Sequence, residues 1–427
     1  MELLARDKSV IWHPFTQMLD PGPILAVERA KAEFLYTFDG RCIVDAISSW
    51  WVNLHGHSHP YIAEKVYAQL LKLEQVIFAG FTHAPAVELV ERLLPLFGGK
   101  LAKGFFSDNG STAVEVALKM ALQYWCNTAG LTDKKFKILT LENSYHGDTF
   151  GAMSISARGV FNKPFEPYMF ECESVPAPLF KQQENSLIQL QKKLAGKDKF
   201  AAFIYEPLLQ GAGGMLMQDA ACLNEMLKLC RKHEVLLIAD EVLTGFGRTG
   251  WPFASLALEE QADLICLSKG LTGGTLPLGL TLTSQNIYDA FLGSGHDKTF
   301  FHGHSYTANP LACAAANASL DIFLSEECSL QRKKLEIRHK AQIVKWQKYV
   351  EKFDIRLCGT VLALNIPEAK SGYFSPIKTK LYEYFLQKEI LMRPLGNCIY
   401  LLPPYCISDK SLDTCYEAIE AVITGSY

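Results

Sequence analysis

Short apolar runs alternate with longer stretches of helical periodicity through the first three quarters of the chain. In the longer stretches apolar residues recur every three or four positions, whereas the short runs are nearly continuous, as in strands buried on both faces. We therefore predict helices at 60–73, 84–96, 111–125, 220–233 and 309–324, and strands at 104–106, 137–140, 201–205, 235–239 and 264–267. This alternation is typical of an α/β fold with a mostly parallel sheet between helices.

The two ends of the chain follow a different pattern. The first 45 residues predict an irregular arm followed by a strand at 26–30. Near the other end, a charged helix-like stretch at 331–353, strand candidates at 361–366 and 398–402, and a closing helix at 411–422 predict a smaller α+β domain. A chain of 427 residues is too long for one ordinary core. We expect an arm that joins the small domain (1–49), a large domain (50–325) and a C-terminal small domain (326–427).

Composition excludes several classes of protein. Hydrophobic residues make up 49% and charged residues 20%, which favours a large core over disorder. The net charge of −3 gives no electrostatic footprint for nucleic acid or for an anionic membrane. No apolar stretch is long enough for a bilayer span, and the first residues do not resemble a secretory signal. Twelve scattered cysteines without a C-x-x-C pair favour a reducing compartment, so we expect a cytoplasmic protein.

Two of the apolar runs end on side chains that can take part in catalysis. One stops at Asp240 and Glu241, and the other stops at Lys269 beside Gly270. A lysine that forms a Schiff base, with an aspartate held against a pyridinium nitrogen, is the protein part of pyridoxal phosphate chemistry. Each residue also has an ordinary interpretation, because strand-end lysines are usually solvated and aspartate commonly caps the helix after a strand.

A phosphate would need hydrogen-bond donors. Gly110 and Ser111 stand at the start of a predicted helix, where amide groups and the helix dipole favour anions. An ordinary capping box with Glu115 explains the same pattern. The turn that contains His304 and Ser305 could likewise present a hydroxyl to a phosphate, or its histidines could bind a metal.

Two other patterns favour cofactor sites only weakly. The segment 245–250 fits G-x-G-x-x-G, but the acidic residue that would bind a ribose about 20 residues later is missing. His55, His57 and His59 alternate as zinc ligands on a strand would, yet glycine, serine and proline interleave them. We predict neither a dinucleotide site nor a metal site.

Three further features are candidates for substrate binding. The pair Trp50–Trp51 is either core packing or a wall that excludes water from an aliphatic chain. Tyr145 lies in a loop after a predicted strand, where it would cover a planar ring or lie exposed. Arg393 could bind a carboxylate through two hydrogen bonds, although isolated arginines are more often surface residues.

Together these residues resemble the class III aminotransferases, which are pyridoxal-phosphate-dependent enzymes of fold type I. The similarity runs from IWHPFT (11–16) to LPPY (402–405) and includes SSWW (48–51), HAPA (83–86), YHGDT (145–149), QGAGGM (210–215) and NPLA (309–312). It implies a large domain with a mostly parallel seven-stranded sheet flanked by helices, and a smaller α+β domain. The tryptophan pair and the segments at 83–86, 145–149 and 210–215 are most similar to members that aminate 8-amino-7-oxononanoate in biotin synthesis.

The resemblance implies a role for each matching position. It implies that Lys269 binds pyridoxal 5'-phosphate covalently and moves protons, and that Asp240 pairs with the pyridine nitrogen. It also implies that Gly110 and Ser111 bind the phosphate group, and that His304 and Ser305 from the partner subunit of a homodimer bind the same phosphate. The residues implied to contact the substrate are Phe15, Trp50, Trp51, Tyr145, Arg248, Arg393 and the partner's Gly303.

Two positions depart from the pattern of the best-known members, which have tyrosine at the position of Phe15 and threonine at that of Ser305. Phenylalanine cannot donate a hydrogen bond, whereas serine keeps the hydroxyl group. The implied substrates are 8-amino-7-oxononanoate and an amino donor, with S-adenosylmethionine expected and lysine as the alternative. Another ω-amino acid or amine transaminase and a pyridoxal-phosphate-dependent decarboxylase of the same fold remain alternatives.

Overall fold

The computed structural model describes residues 2–129, 136–159, 161–367 and 375–427. Its strands are β1 Val27–Lys31, β2 Phe34–Thr37, β3 Cys42–Asp45, β4 Leu101–Ser107, β5 Phe136–Leu141, β6 Cys172–Val175, β7 Lys199–Tyr205, β8 Leu209–Gln210, β9 Leu216–Met217, β10 Leu236–Asp240, β11 Leu264–Leu267, β12 Gly279–Ser284, β13 Arg356–Cys358, β14 Val361–Asn365, β15 Ile390–Leu391 and β16 Cys398–Leu401.

The helices alternate with these strands through the middle of the chain. They are α1 Glu2–Val10, the short α2 turn Ser48–Trp51, α3 Pro60–Leu70, α4 Ala84–Leu93, α5 Gly110–Ala129, α6 Phe150–Ile155, α7 Gln183–Leu194, α8 Ala220–Lys232, α9 Gln285–Ala290, α10 Pro310–Leu324, α11 Glu326–Lys345, α12 Val350–Phe353, α13 Ile377–Gln387 and α14 Asp409–Thr424. Within the described ranges, no helix combines the length and apolar character that a membrane crossing needs.

The central sheet has seven strands in the described part of the chain, in the order β4-β12-β11-β10-β7-β5-β6. Strand β12 runs antiparallel to both of its neighbours, and the other strands are parallel to one another. The prediction of an α/β fold with a mostly parallel seven-stranded sheet is thus confirmed. Because β10 and β11 are parallel, with Asp240 opposite Cys266, the residues that follow both strands emerge at one edge of the sheet.

The continuous apolar runs reflect burial on both faces of this sheet. In β10, Ile238 packs in the cluster that contains α5, whereas Leu237 packs in the opposite cluster with residues of α8. Helix α8 begins where the Asp219 side chain accepts a hydrogen bond from the Cys222 amide (2.8 Å). A strand buried on both faces cannot show the alternation of a half-exposed strand, which explains why its sequence pattern is a run.

Residues from the two ends of the chain share smaller sheets. Strand β15 pairs in parallel with β3, in a sheet of order β1-β2-β3-β15, and β13, β14 and β16 form another sheet. The predicted irregular arm is wrong at its start, where α1 is helical. No side chain of α1 is buried, and Glu2 and Lys8 suit the helix dipole.

A close backbone approach ties the turn at 245–250 to the β13–β14 hairpin. Gly359 has φ +56°, and a Cβ there would overlap the backbone nitrogen of Gly250 and the carbonyl carbon of Thr249. The Thr360 amide also donates to the Arg248 carbonyl oxygen (2.9 Å). The glycine-rich segment is therefore used for packing against the hairpin.

This approach predicts that Gly359→Ala is strongly destabilising. The substitution should lower the free energy of unfolding by more than about 2 kcal/mol, since it adds a backbone overlap to the strain of a left-handed residue. Gly40→Ala is the matched control, because Gly40 has φ +85° with nothing near a Cβ, and it should cost about 1 kcal/mol. Equal losses in urea denaturation would contradict this interpretation.

Candidate active site

A cavity of about 560 Å³ lies where the carboxyl ends of β10 and β11 meet the start of α5. It gathers side chains from positions that are far apart in the sequence. The residues predicted for the site that line it are Phe15, Trp50, Trp51, Gly110, Ser111, Tyr145, Asp240, Lys269 and Arg393. A single cavity is thus lined by the candidate amine, the candidate acid and the candidate phosphate cradle.

Lys269 is held at the base of this cavity. It follows β11, opens a 3₁₀ turn over Lys269–Thr272 and has a φ of +41°, a conformation that is uncommon outside glycine. The side chain is partly buried, and its amine lies 5.1 Å from the centre of the Trp51 ring. Burial lowers the pKa of Lys269, and the charges of Asp240 and Glu206 oppose that shift. A more readily deprotonated amine is a better nucleophile.

The Asp240 carboxylate is oriented by two contacts. The Val242 amide donates to Oδ1 (3.0 Å), and His146 Nδ1 lies 2.7 Å from Oδ2. His146 is itself buried, and its amide is bonded to Ser156 (2.9 Å). Each oxygen of Asp240 keeps capacity for a further donor. A carboxylate fixed in this way can pair with a protonated ring nitrogen without reorganising.

Glu241, the neighbouring acid, binds the loop that follows β10. Its carboxylate accepts hydrogen bonds from the Thr244 hydroxyl (2.7 Å) and from the amides of Ala254 (3.0 Å) and Ser255 (2.6 Å). These contacts fasten the following loop to the end of β10. The Asp240 carboxylate thus lines the cavity, whereas the adjacent Glu241 carboxylate is bonded inside the protein.

Glu206 is a buried acid of the cavity that the sequence analysis missed. It accepts hydrogen bonds from the amides of Tyr145 (3.2 Å) and Gly211 (2.9 Å). Burial raises its pKa to about 7; Asp240 acts in the same direction and His146 opposes it. The signal was present, since the apolar run 201–205 stops at Glu206 as the run before Asp240 does.

The start of α5 forms the wall beside Asp240. Asn109 caps the helix, since its side-chain oxygen accepts from the Thr112 amide (3.0 Å). Glu115 bonds instead to Gly151 (2.7 Å) and Ala152 (3.1 Å), so the capping box that the sequence offered as an alternative is absent at this helix start. The first amides of α5 therefore point toward the cavity end of the helix, where an anion is favoured.

Gly110 and Gly147 allow close packing at this wall. A Cβ on Gly110 would lie 2.7 Å from Val242 Cγ1, and a Cβ on Gly147 would overlap the Ser111 hydroxyl. The Ser111 hydroxyl also accepts a hydrogen bond from the Asp148 amide (3.2 Å). The backbone can thus come close to a ligand at this point, as a phosphate cradle requires.

The opposite wall is aromatic. Trp50 is 42% exposed, and its ring lies 5.3 Å from the ring of Phe15 and 5.3 Å from the Arg393 guanidinium. Trp51 is buried and donates its indole N–H to the Tyr400 hydroxyl (2.9 Å). Across the cavity, burial and then the charge of Asp148 raise the pKa of Tyr145, which keeps its phenol protonated. The wall combines an apolar surface with one cationic end.

Arg248 does not line the cavity. It is 1% exposed, donates to the Pro403 carbonyl oxygen (2.9 Å) and lies 5.1 Å over the Tyr405 ring. Burial lowers the pKa of this guanidinium. The substrate contact predicted for Arg248 does not fit this position, because the surrounding chain encloses its guanidinium.

The segment with Gly303, His304 and Ser305 also lies outside the cavity of its own chain. The Ser305 carbonyl oxygen accepts from Gln75 (2.7 Å), and His304 Nδ1 accepts from the Tyr306 amide (3.2 Å). The neighbouring Tyr306 side chain is exposed. Their predicted role from a partner subunit stays a prediction.

Two of the three alternating histidines form side-chain hydrogen bonds within the protein. His55 bonds to the Ser319 hydroxyl (3.1 Å), and His57 bonds to Asp45 (2.8 Å). Burial lowers the pKa of His55 to about 3, which keeps this imidazole neutral. Among the residues that the structure describes, no group of three or more histidines, cysteines or acids is arranged to hold a metal ion.

The raised pKa of Glu206 predicts a specific pH dependence of stability. The folded state holds this proton up to about pH 7, whereas the ordinary value is 4.5. The protonated group thus contributes stability below about pH 4.5, and this contribution, about 3 kcal/mol, is lost as the pH rises to about 7. In urea unfolding of the cofactor-free protein, the wild type should lose this amount relative to Glu206→Gln over that window. Parallel pH profiles would contradict the shift.

Comparison with known proteins agrees with this geometry. The model of the family "Aminotransferase class-III" matches residues 18–423. The chain is 46% identical to the adenosylmethionine-8-amino-7-oxononanoate aminotransferase of Synechococcus elongatus, over 96% of this chain and 97% of that one. The Helicobacter pylori enzyme of the same name is 38% identical, over 96% of this chain and 95% of its own length.

Solved structures show the same relationship. The crystal structure of adenosylmethionine-8-amino-7-oxononanoate aminotransferase from Methanocaldococcus jannaschii superposes with a TM-score of 0.90 at 36% identity, covering 98% of this chain and 99% of that chain. A PLP-bound amine transaminase from an uncultivated Pseudomonas species has a TM-score of 0.89 at 30% identity, covering 98% and 99%. The chain belongs to the class III aminotransferases, whose cofactor is pyridoxal 5'-phosphate.

Proposed function

We propose that this chain transfers an amino group to the 7-keto group of 8-amino-7-oxononanoate and so forms 7,8-diaminononanoate for biotin synthesis. One observation carries the choice of acceptor: the wall of Trp50 ends at the Arg393 guanidinium, 5.3 Å from the ring. An aliphatic chain that ends in a carboxylate matches an apolar surface with one cation at its end. The names of the relatives at 46% and 38% identity point to the same acceptor.

The cavity fits pyridoxal 5'-phosphate. Lys269 would hold it covalently, Asp240 would pair with the ring nitrogen, Gly110 and Ser111 would bind the phosphate, and Tyr145 would lie beside the ring. The start of α5 supports this fit, since Asn109 caps the helix and Gly110 and Ser111 line the cavity. When bound, the cofactor supplies an electron-accepting ring that stabilises negative charge on the substrate carbon beside nitrogen.

The side chains of the protein then move the protons. Lys269 Nζ takes a proton from the amine-bearing carbon of the donor, which its lowered pKa favours. Asp240, held by His146 and the Val242 amide, would place its carboxylate beside the ring nitrogen.

The second cavity supports a large amino donor. A space of about 510 Å³ adjoins the first, and the residues that line both are Tyr145, Gly147, Asp148, Phe161, Ala212 and Leu395. Lysine would fill little of this space, whereas S-adenosylmethionine carries a bulky nucleoside beyond its amino acid part. We therefore infer S-adenosylmethionine as the donor, with Phe15 contributing an apolar contact in place of a hydroxyl group.

We further propose a cytoplasmic homodimer in which each subunit completes the site of the other. The loop that bears His304 and Ser305 exposes Phe301 (74%) and Tyr306 (65%). Exposed aromatic side chains are favoured at protein interfaces. The twelve free cysteines support a reducing compartment.

A substrate panel tests the reaction itself. The purified holoenzyme should form 7,8-diaminononanoate from 8-amino-7-oxononanoate with S-adenosylmethionine, and Lys269→Ala should form none. Faster turnover with pyruvate and simple amines would favour an amine transaminase. Release of carbon dioxide from the donor would favour a decarboxylase.

Arg393 provides the test of the acceptor pose. Arg393→Ala should raise KM for 8-amino-7-oxononanoate about 30-fold, which corresponds to about 2 kcal/mol for a lost charge-assisted contact. The control is the methyl ester of the acceptor, which lacks the charge and should respond less than threefold. If ester and acid respond equally, Arg393 does not bind this carboxylate.

A further inference from the structure

The paired tryptophans lie on a strained turn. Three of the four residues of α2 have left-handed φ values: Ser48 (+54°), Ser49 (+58°) and Trp51 (+68°). Residues with a Cβ rarely adopt this conformation, and a run of them persists only where surrounding contacts enforce it. The turn decides where Trp50 meets the cavity and where Trp51 lies against the Lys269 amine.

A buried carboxylate holds this turn. Asp45, with no solvent exposure, accepts hydrogen bonds from the Ile47 amide at Oδ1 (3.2 Å) and from the Ser49 amide at Oδ2 (2.6 Å). The Ser49 hydroxyl (3.3 Å) and His57 Nε2 (2.8 Å) also contact Oδ2. Both oxygens therefore face donors, and an amide at this position would turn an N–H group toward one of them.

His57 closes the network from the other side. Asn53 Nδ2 lies 2.8 Å from Nδ1 of the His57 ring and 3.2 Å from Nε2, and Nε2 also faces the Asp45 carboxylate, which can only accept. Nε2 then donates to Asp45. Asn53 Nδ2 also reaches the Ser49 hydroxyl (3.3 Å), which completes a ring of contacts around the turn. The His57 backbone is anchored by its bridge to Ala32, next to β1.

We propose that Asp45 and His57 are positioning residues for the acceptor. Neither lines the cavity. They act by holding the left-handed turn, so that Trp50 presents its ring face beside Arg393 to a long aliphatic carboxylate. This inference rests on the proposed function, because it takes the Trp50 wall to be the acceptor surface.

The test compares acceptor binding with donor chemistry in the holoenzyme. Asp45→Asn and His57→Leu should each raise KM for 8-amino-7-oxononanoate about tenfold or more and leave the donor KM within threefold. Calorimetric titration with nonanoate, an aliphatic carboxylate, should show the same loss of affinity. His57→Gln should retain near wild-type values, since its amide can still donate to Asp45.

Glu33 supplies the matched control. It is a buried carboxylate beside the same sheet, where it accepts from the Ser408 amide (3.2 Å) and the Ser411 hydroxyl (3.1 Å), and it does not line the cavity. Glu33→Gln should lower the melting temperature much as Asp45→Asn does and leave acceptor KM and nonanoate affinity unchanged. Equal effects of the two carboxamide variants on acceptor binding would overturn the inference.

A Trp50→Ala variant separates this inference from the proposed function. If Trp50→Ala weakens nonanoate binding while Asp45→Asn and His57→Leu do not, the acceptor wall stands and the positioning role is wrong. If Trp50→Ala itself leaves acceptor KM and nonanoate affinity unchanged, both the wall and the positioning role are wrong. Should Asp45→Asn fail to fold, the comparison of His57→Leu with His57→Gln decides the question alone.

Discussion

Parallel strands that end at one edge of a sheet bring an amine and two carboxylates into the same buried space. Lys269 follows β11, Asp240 ends β10 and Glu206 follows β7, and these strands are neighbours in the order β11-β10-β7. Burial disfavours the charged forms of Lys269 and Glu206, and the charge of Asp240 acts on both of these groups. The lowered pKa of Lys269 and the raised pKa of Glu206 both follow from this one constraint.

The same constraint explains how the surroundings of the site are built. Asp240 stays oriented through His146 and the Val242 amide, and Glu241 is drawn away from the cavity into the loop at Ala254 and Ser255. Around this charged centre the walls are apolar or are backbone: tryptophans on one side and the glycine-rich start of α5 on the other. The planar ring of a cofactor fits against the apolar side, and its phosphate fits against the amides at the start of α5.

Features that depend on local pattern could be predicted from the sequence. The runs at β10 and β11 and the positions of Asp240 and Lys269 belong to this group, because burial on both faces leaves a continuous apolar signature. Strand β12 escaped prediction, since Gly279 and its threonines look like loop residues although they are buried between two strands. Helix α1 also escaped prediction; it is nine residues long and none of its side chains is buried.

Contacts between distant residues could not be predicted. Glu206 followed an apolar run as Asp240 did, but its meeting with Tyr145 depends on the order of strands in the sheet. The bond between Asp45 and His57 likewise depends on a turn that no propensity favours.

The most direct measurement of the central claim is borohydride reduction of the holoenzyme followed by peptide mapping. The account predicts one stable cofactor adduct per chain, on Lys269; an adduct on another lysine, or none, would contradict it.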